Sequence, residues 1–215
     1  MGKKLIKVLE KKDFGSIGIG AMIVFIAMVL VAGIAASVLV QTSTRLEMQG
    51  LKTGQETVAE VASGLKVLAV EGFNTSGSIT KMAVEISSRA GSPDIDLEQA
   101  IIEISDSSNK YVLTYGSSLT NITTINGDLF TNGQFGTAST FGITVLQDAD
   151  DSCTASAPVI NFGDHVILGI DTNAVFTGIS PRTDVNGLVV CEEGAPGIIG
   201  FTTPSSYIDS IMELQ

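Results

Sequence analysis

Side chains able to do chemistry are few in this 215-residue chain, and they are scattered. His165 is the only histidine and sits in the segment NFGDHV, 161–166. A histidine acting in a triad or at a metal needs a nucleophile, a carboxylate or further ligands arranged around it. No such cluster can be read here, so we expect no catalytic role and no enzyme. Gly15, Gly18 and Gly20 have the look of a phosphate-binding loop. No strand pattern precedes them and no Lys-Ser/Thr follows, so they are not one. Asp148, Asp150 and Asp151 lie within four residues of one another, and closely spaced carboxylates can ligate a hard cation such as Ca²⁺. Their spacing is not that of an EF-hand, and a solvated acidic loop is the competing reading, so no cofactor is expected beyond such a structural cation.

Cys153 and Cys191 are 38 positions apart. Paired, they would close a loop worth roughly 3–4 kcal/mol in the chain-entropy model. Unpaired, they would be two buried thiols. The absence of CxxC or Cys/His clustering argues against zinc. Asn74-Thr75-Ser76 and Asn121-Ile122-Thr123 are N-glycosylation sequons, weak as patterns but meaningful on a chain that faces outward.

The elements that carry these residues fall into two contrasting parts. From Phe14 to Thr44 there is no charged residue, and Ile17 to Val40 is almost wholly apolar. Those 24 residues make a helix of about 36 Å, enough to cross a bilayer core of about 30 Å. Five lysines precede the run, which holds residues 1–15 on the cytoplasmic side and sends the remainder outward. Beyond Gln41–Thr44, apolar or small residues recur at Leu51, Gly54, Val58, Val61, Leu65 and Leu68, a three-four spacing that predicts one helix continuing to about residue 70. After Asn74–Gly77 the period changes to two. Met82/Val84/Ile86, Ala100/Ile102/Ile104, Tyr111/Leu113/Tyr115 and Phe141/Ile143/Val145 read as strands, with more candidates at 159–160, 166–170, 188–190 and 198–201. Turn residues, among them Asn126-Gly127, Asn132-Gly133 and Asn186-Gly187, separate them. The expected class is α+β: a long N-terminal helix over 16–71, then an immunoglobulin-like β-sandwich over 72–215.

Three readings of the N-terminus compete. A secretion signal has an apolar region of 7–15 residues, shorter than this run. A permanent anchor fits the length but not the many small residues, Gly18, Gly20, Ala21, Ala27, Ala32, Gly33, Ala35 and Ala36, which let helices pack closely against one another. Cleavage between Gly15 and Ser16 would remove the lysine tether and release the helix into a core of identical helices. The helix positions that would face such a core include Ile17, Met22, Phe25, Met28, Leu30, Ile34 and Leu39. Without residues 1–15 the chain has seven basic and 21 acidic residues, net −14, a surface that repels nucleic acid.

The segment GIGAMIVFIAMVLVAGIAASVLVQTS, residues 18–43, resembles the opening of archaellins, the archaeal flagellins, and GAPGIIGFTTPSSYIDSIMELQ, 194–215, resembles their closing segment. The resemblance implies a filament subunit of the swimming organelle, cut after Gly15 by a prepilin-peptidase-like enzyme so that Ser16 becomes the new terminus. It also implies self-association, a membrane stage before assembly, a motor platform with its ATPase as partners, an extracellular location and N-glycosylation. Bacterial type IV pilins carry glutamate five residues into the mature chain, where this sequence has Gly20. An adhesive pilin and a monomeric membrane-anchored binding protein are the other functional readings.

Overall fold

A computed structural model describes residues 17–58 and 60–215 in full, and residues 2–16 and 59 as helical backbone only. The chain forms two compact units, Met1–Gln55 and Glu56–Gln215. Helix α1 runs Gly2–Ala62. Its polar break does not interrupt it, because Thr42 Oγ1 donates back to the Val38 and Leu39 carbonyls and Thr44 Oγ1 to that of Val40, each at 2.9 Å.

The helix ends eight residues before the expected Val70. Gly64 has φ +133°, and a Cβ there would stand 2.2 Å from the Ala195 carbonyl oxygen, so the chain needs glycine at this point and cannot continue as helix. Leu65 and Leu68, assigned above to the helical seam, instead belong to strand β1 (Leu65–Thr75), where Leu65 is fully buried. The three-four spacing at 61, 65 and 68 is an overlap with strand alternation, broken by a bulge at Leu68 between Val67 and Ala69. Asn74–Gly77, expected to end the helix, is the hairpin turn into β2 (Ser78–Ser88). Ser76 and Gly77 both have positive φ, as a two-residue primed turn requires.

The remaining strands are β3 (Ile95–Asp96), β4 (Ile101–Asp106), β5 (Asn109–Asn121), β6 (Thr140–Gln147), β7 (Cys153–Thr154), β8 (Ala157–Ile160), β9 (His165–Ile170), β10 (Asp184–Val190), β11 (Gly197–Thr202) and β12 (Ile211–Glu213), with short helices α2 (Leu129–Asn132) and α3 (Thr172–Phe176). The α+β class holds: a long apolar helix is followed by a β-rich domain built on a curled sheet. Nine strands form one sheet in the order β11-β10-β4-β5-β6-β9-β2-β1-β12, with a three-stranded accessory sheet β3-β8-β7. The large sheet is antiparallel except for β5–β6. It curls until its edges nearly meet. Leu65 N donates to the Ala195 carbonyl at 3.1 Å, and the Gln215 side chain accepts from Gly200 N at 2.8 Å and donates to the Ile198 carbonyl at 3.3 Å. Asn186-Gly187, expected as a turn, lies inside β10, where the missing Cβ of Gly187 lets the Glu103 carbonyl approach.

One contiguous core fills the inside of the curl, with Val84, Ile86, Ile102, Ile104, Phe141 and Leu168 among its members. A satellite cluster of Ala83, Phe130 and Ile167 lies apart from it. Phe73 and Phe135 stack on either side of Phe130, with ring centroids 5.3 and 5.8 Å away, and Lys81 sits 4.8 Å from the Phe135 ring centre.

Candidate functional site

In α1, each large apolar side chain from Ile17 to Val61 is more than half exposed. Met22, Phe25, Met28, Leu30, Ile34, Leu39, Leu51, Val58 and Val61, the expected packing positions that remain in the helix, are all among them. Burying the roughly fifteen large residues between Ile17 and Val40 is worth about 20–45 kcal/mol gross, at about 1.5–3 kcal/mol each. Water is therefore not the medium this helix is built for. Ala27, Ala32 and Ala35 leave a shallow groove of about 420 Å³ beside Val24, Met28 and Val31. Small residues alternating with large ones supply the grooves and ridges by which helices interlock. The segment Ile17–Ala62 is also long and apolar enough to cross a membrane. Gly15 and Ser16, the expected cut, lie outside the residues whose side chains are described.

The acidic loop acquires a member from elsewhere in the chain. Oxygens of Asp148, Asp150 and Asp164 lie within 4.8 Å of one another, whereas Asp151, expected in the group, occupies a positive-φ corner. Asp164 is buried at the turn between β8 and β9, and that turn folds against the β6–β7 loop. Asp148 accepts from Ser152 N and Cys153 N, Asp164 accepts from Asn161 N at 2.8 Å, and Asp150 accepts from Asn161 Nδ2 at 2.7 Å. Hydrogen bonds from Ser152 and then Asn161 hold the Asp150 carboxyl below its ordinary value. Three carboxylates so placed can hold a hard oxygen-seeking cation.

Cys153 and Cys191 are separate free thiols, not the disulfide weighed above. A sequence separation carries no information on the Cα distance and Cβ direction a bridge demands. Burial pushes both thiols up to about 12, with the Asp148 charge adding to the rise at Cys153. His165 Nδ1 lies 3.5 Å from Glu85 Oε1 on the neighbouring strand, a partly exposed surface pair when protonated. The two sequons differ. Asn121 is exposed, and its Oδ1 accepts from both N and Oγ1 of Thr123 at 3.0 Å. Asn74 is half-buried, and its Nδ2 donates to the Asp209 carbonyl at 3.4 Å.

Residues 15–201 match the archaeal-type flagellin family model. Flagellin B2 of Methanocaldococcus jannaschii is 45% identical over 217 residues, covering 97% of this chain and all of that protein. The crystal structure of archaeal flagellin FlaB1 from the same organism is 36% identical, with a TM-score of 0.65, and covers 72% of this chain and 98% of that one. A chain of the archaeal flagellum of Methanospirillum hungatei strain JF1 has the same fold at 15% identity, with a TM-score of 0.62 over 91% of this chain and 98% of that one.

Proposed function

The chain belongs to the archaeal-type flagellin family, and we propose from that membership how it builds an extracellular filament: its apolar helix polymerises with copies of itself while the acidic β-domain meets solvent. The observation that carries this is the helix, apolar around its whole circumference from Ile17 to Val40 and exposed throughout. A helix hydrophobic all round is stable only in lipid or among other apolar helices. In this scheme the precursor waits in the membrane, with the lysines of residues 1–15 at the cytoplasmic face. A prepilin-peptidase-like enzyme cuts at Gly15–Ser16, and the freed helix passes from lipid into the growing core. The chain's role is structural, so torque has to come from a separate membrane platform and ATPase, the partners this reading requires.

An adhesive pilin would share the plan, but Gly20 stands where bacterial pilins carry glutamate. Deleting the chain distinguishes the two. Loss of swimming with surface attachment retained is the outcome expected for a flagellin, and loss of attachment with swimming retained would overturn it. Two finer features accompany this reading: a glycan on Asn121, whose sequon geometry leaves it exposed, and a structural cation at Asp148, Asp150 and Asp164.

A further inference from the structure

Two apolar features stand exposed on the β-domain. The first is a sheet face. Val112, Glu103, Leu188 and Ile198 stand directly opposite one another across β5, β4, β10 and β11. Ile101 and Val190 form the next row on the same face. The apolar members are all exposed, Ile198 most so at 64%. Glu103 in their midst is neutralised by Lys110. The second feature is Phe162, 77% exposed at the turn between β8 and β9. That turn is tied down on every side. Asn161 N donates to Asp164 Oδ2 and Asn161 Nδ2 to Asp150 Oδ2, while Ser88 Oγ and Ser87 Oγ donate to the carbonyls of Asn161 and Asp164. An aromatic ring on a rigid turn loses little freedom on binding, as a good anchor should.

Strand register puts the two features at opposite ends of the sheet. His165 is level with Val145–Gln147 of β6, and Val145 is level with Asn121 at the far end of β5. Val112 lies nine residues earlier on β5, two of them taken up by the bulge between Tyr115 and Leu119, so about 23 Å away at about 3.3 Å per residue. A knob at one end and a flat apolar face at the other cannot satisfy each other within one molecule; between copies a reciprocal pair would close as a dimer, whereas a filament requires the one-way arrangement. They make a head-to-tail contact, the kind that propagates into an open helical array.

We propose that the Phe162 turn of one copy seats on the Val112–Leu188–Ile198 face of the next along the filament, a contact that rests on the polymerising role argued above. Charge selects the same pairing. Beside the Phe162 turn the exposed Asp150 is hydrogen-bonded to Asn161, and the Lys110 ammonium, paired with Glu103 yet 59% exposed, borders the face.

The test uses full-length chain carrying Phe162→Cys and Ile198→Cys, assembled into filaments and treated with a mild oxidant. Cys153 is buried and Cys191 half-buried, so each single variant serves as the control for cross-links through the native thiols. We expect a ladder of covalent oligomers extending beyond dimers, absent from either single variant. Filaments that give no ladder, or dimers alone, overturn the contact, as does cross-linking only to a different flagellin. A cysteine-free check is thermal dissociation of filaments bearing Phe162→Ala, Ile198→Ala or both. If the side chains meet, the double variant loses no more than the worse single one, whereas additive losses overturn the pairing. Failure of the unsubstituted chain to form filaments at all would instead strike the polymerising role.

Discussion

Phe25→Ala separates the polymerising helix from the β-domain most cleanly. Phe25 is 68% exposed on α1, so its removal costs the isolated chain almost nothing, and any loss falls on assembly. A phenylalanine side chain offers roughly 200 Å², of which 68% is about 140 Å² still to be buried. At about 25 cal/mol/Å² that amounts to about 3 kcal/mol per subunit. Since about 1.4 kcal/mol is tenfold in concentration, the free subunit in equilibrium with filament should rise by about two orders of magnitude. The assay sediments filaments over a dilution series and measures subunit left in the supernatant, with the melting of the β-domain followed in parallel by circular dichroism. The expected result is a large rise in soluble subunit with the domain melt unchanged, because Phe25 lies in a different compact unit from the strands. Wild-type solubility of the variant would refute the assignment of Phe25 to a buried filament core. A lowered domain melt would refute the independence of the two units.

Gly64→Ala should lower the melting temperature of the β-domain by about 10 °C in calorimetry. It forces a side chain into a positive-φ position with a carbonyl 2.2 Å from the new Cβ, a cost of about 3 kcal/mol or more at about 2–4 °C per kcal/mol. Stability should also fall in alkali. The folded thiols of Cys153 and Cys191 titrate at about 12 against 9.0 for a free thiol, so between about 9 and about 12 the unfolded chain releases protons that the folded chain keeps, and unfolding is favoured. Replacing both cysteines with alanine should flatten that loss in melts taken across the same window. Asp150 acts in the opposite direction: its lowered carboxyl contributes stability above the unfolded value of 3.8, which is lost as pH falls through the folded value. Added Ca²⁺ should raise the melting temperature of the native chain and leave an Asp148→Asn/Asp164→Asn variant unmoved.

How much was legible in the sequence depended on whether a signal was local. The apolar run Ile17–Val40 and the small residues within it marked the helix and its purpose, because a period and a composition are written in neighbouring residues. The end of the helix was misread at Leu65 and Leu68, since apolar positions three or four apart fit both a helical face and a bulged strand. Gly64 was the signal that could have decided it, as a glycine just past the last periodic residue is the usual mark of a helix end. Strand alternation locates β2, β4, β5 and β6 but not the order in which they pair or how the sheet curls, because pairing joins segments far apart in the chain. The Gln215 bridge to Ile198 and Gly200 that helps close the curl joins segments adjacent only in the fold. Asp164 was missed for the same reason: it lies 14 residues from Asp150 and meets it only where two loops fold together. Asn186-Gly187 looked like a turn because close approach of a strand and a tight turn both call for glycine.

Polymerisation through the helix requires that it begin the mature chain, freed of the lysines that would hold it in the membrane. Filaments sheared from cells, pelleted and examined by N-terminal peptide mass spectrometry read this directly. Ser16 is expected as the first residue of the sedimented subunit. Subunits retaining Met1 and recovered only with the membrane fraction would contradict it.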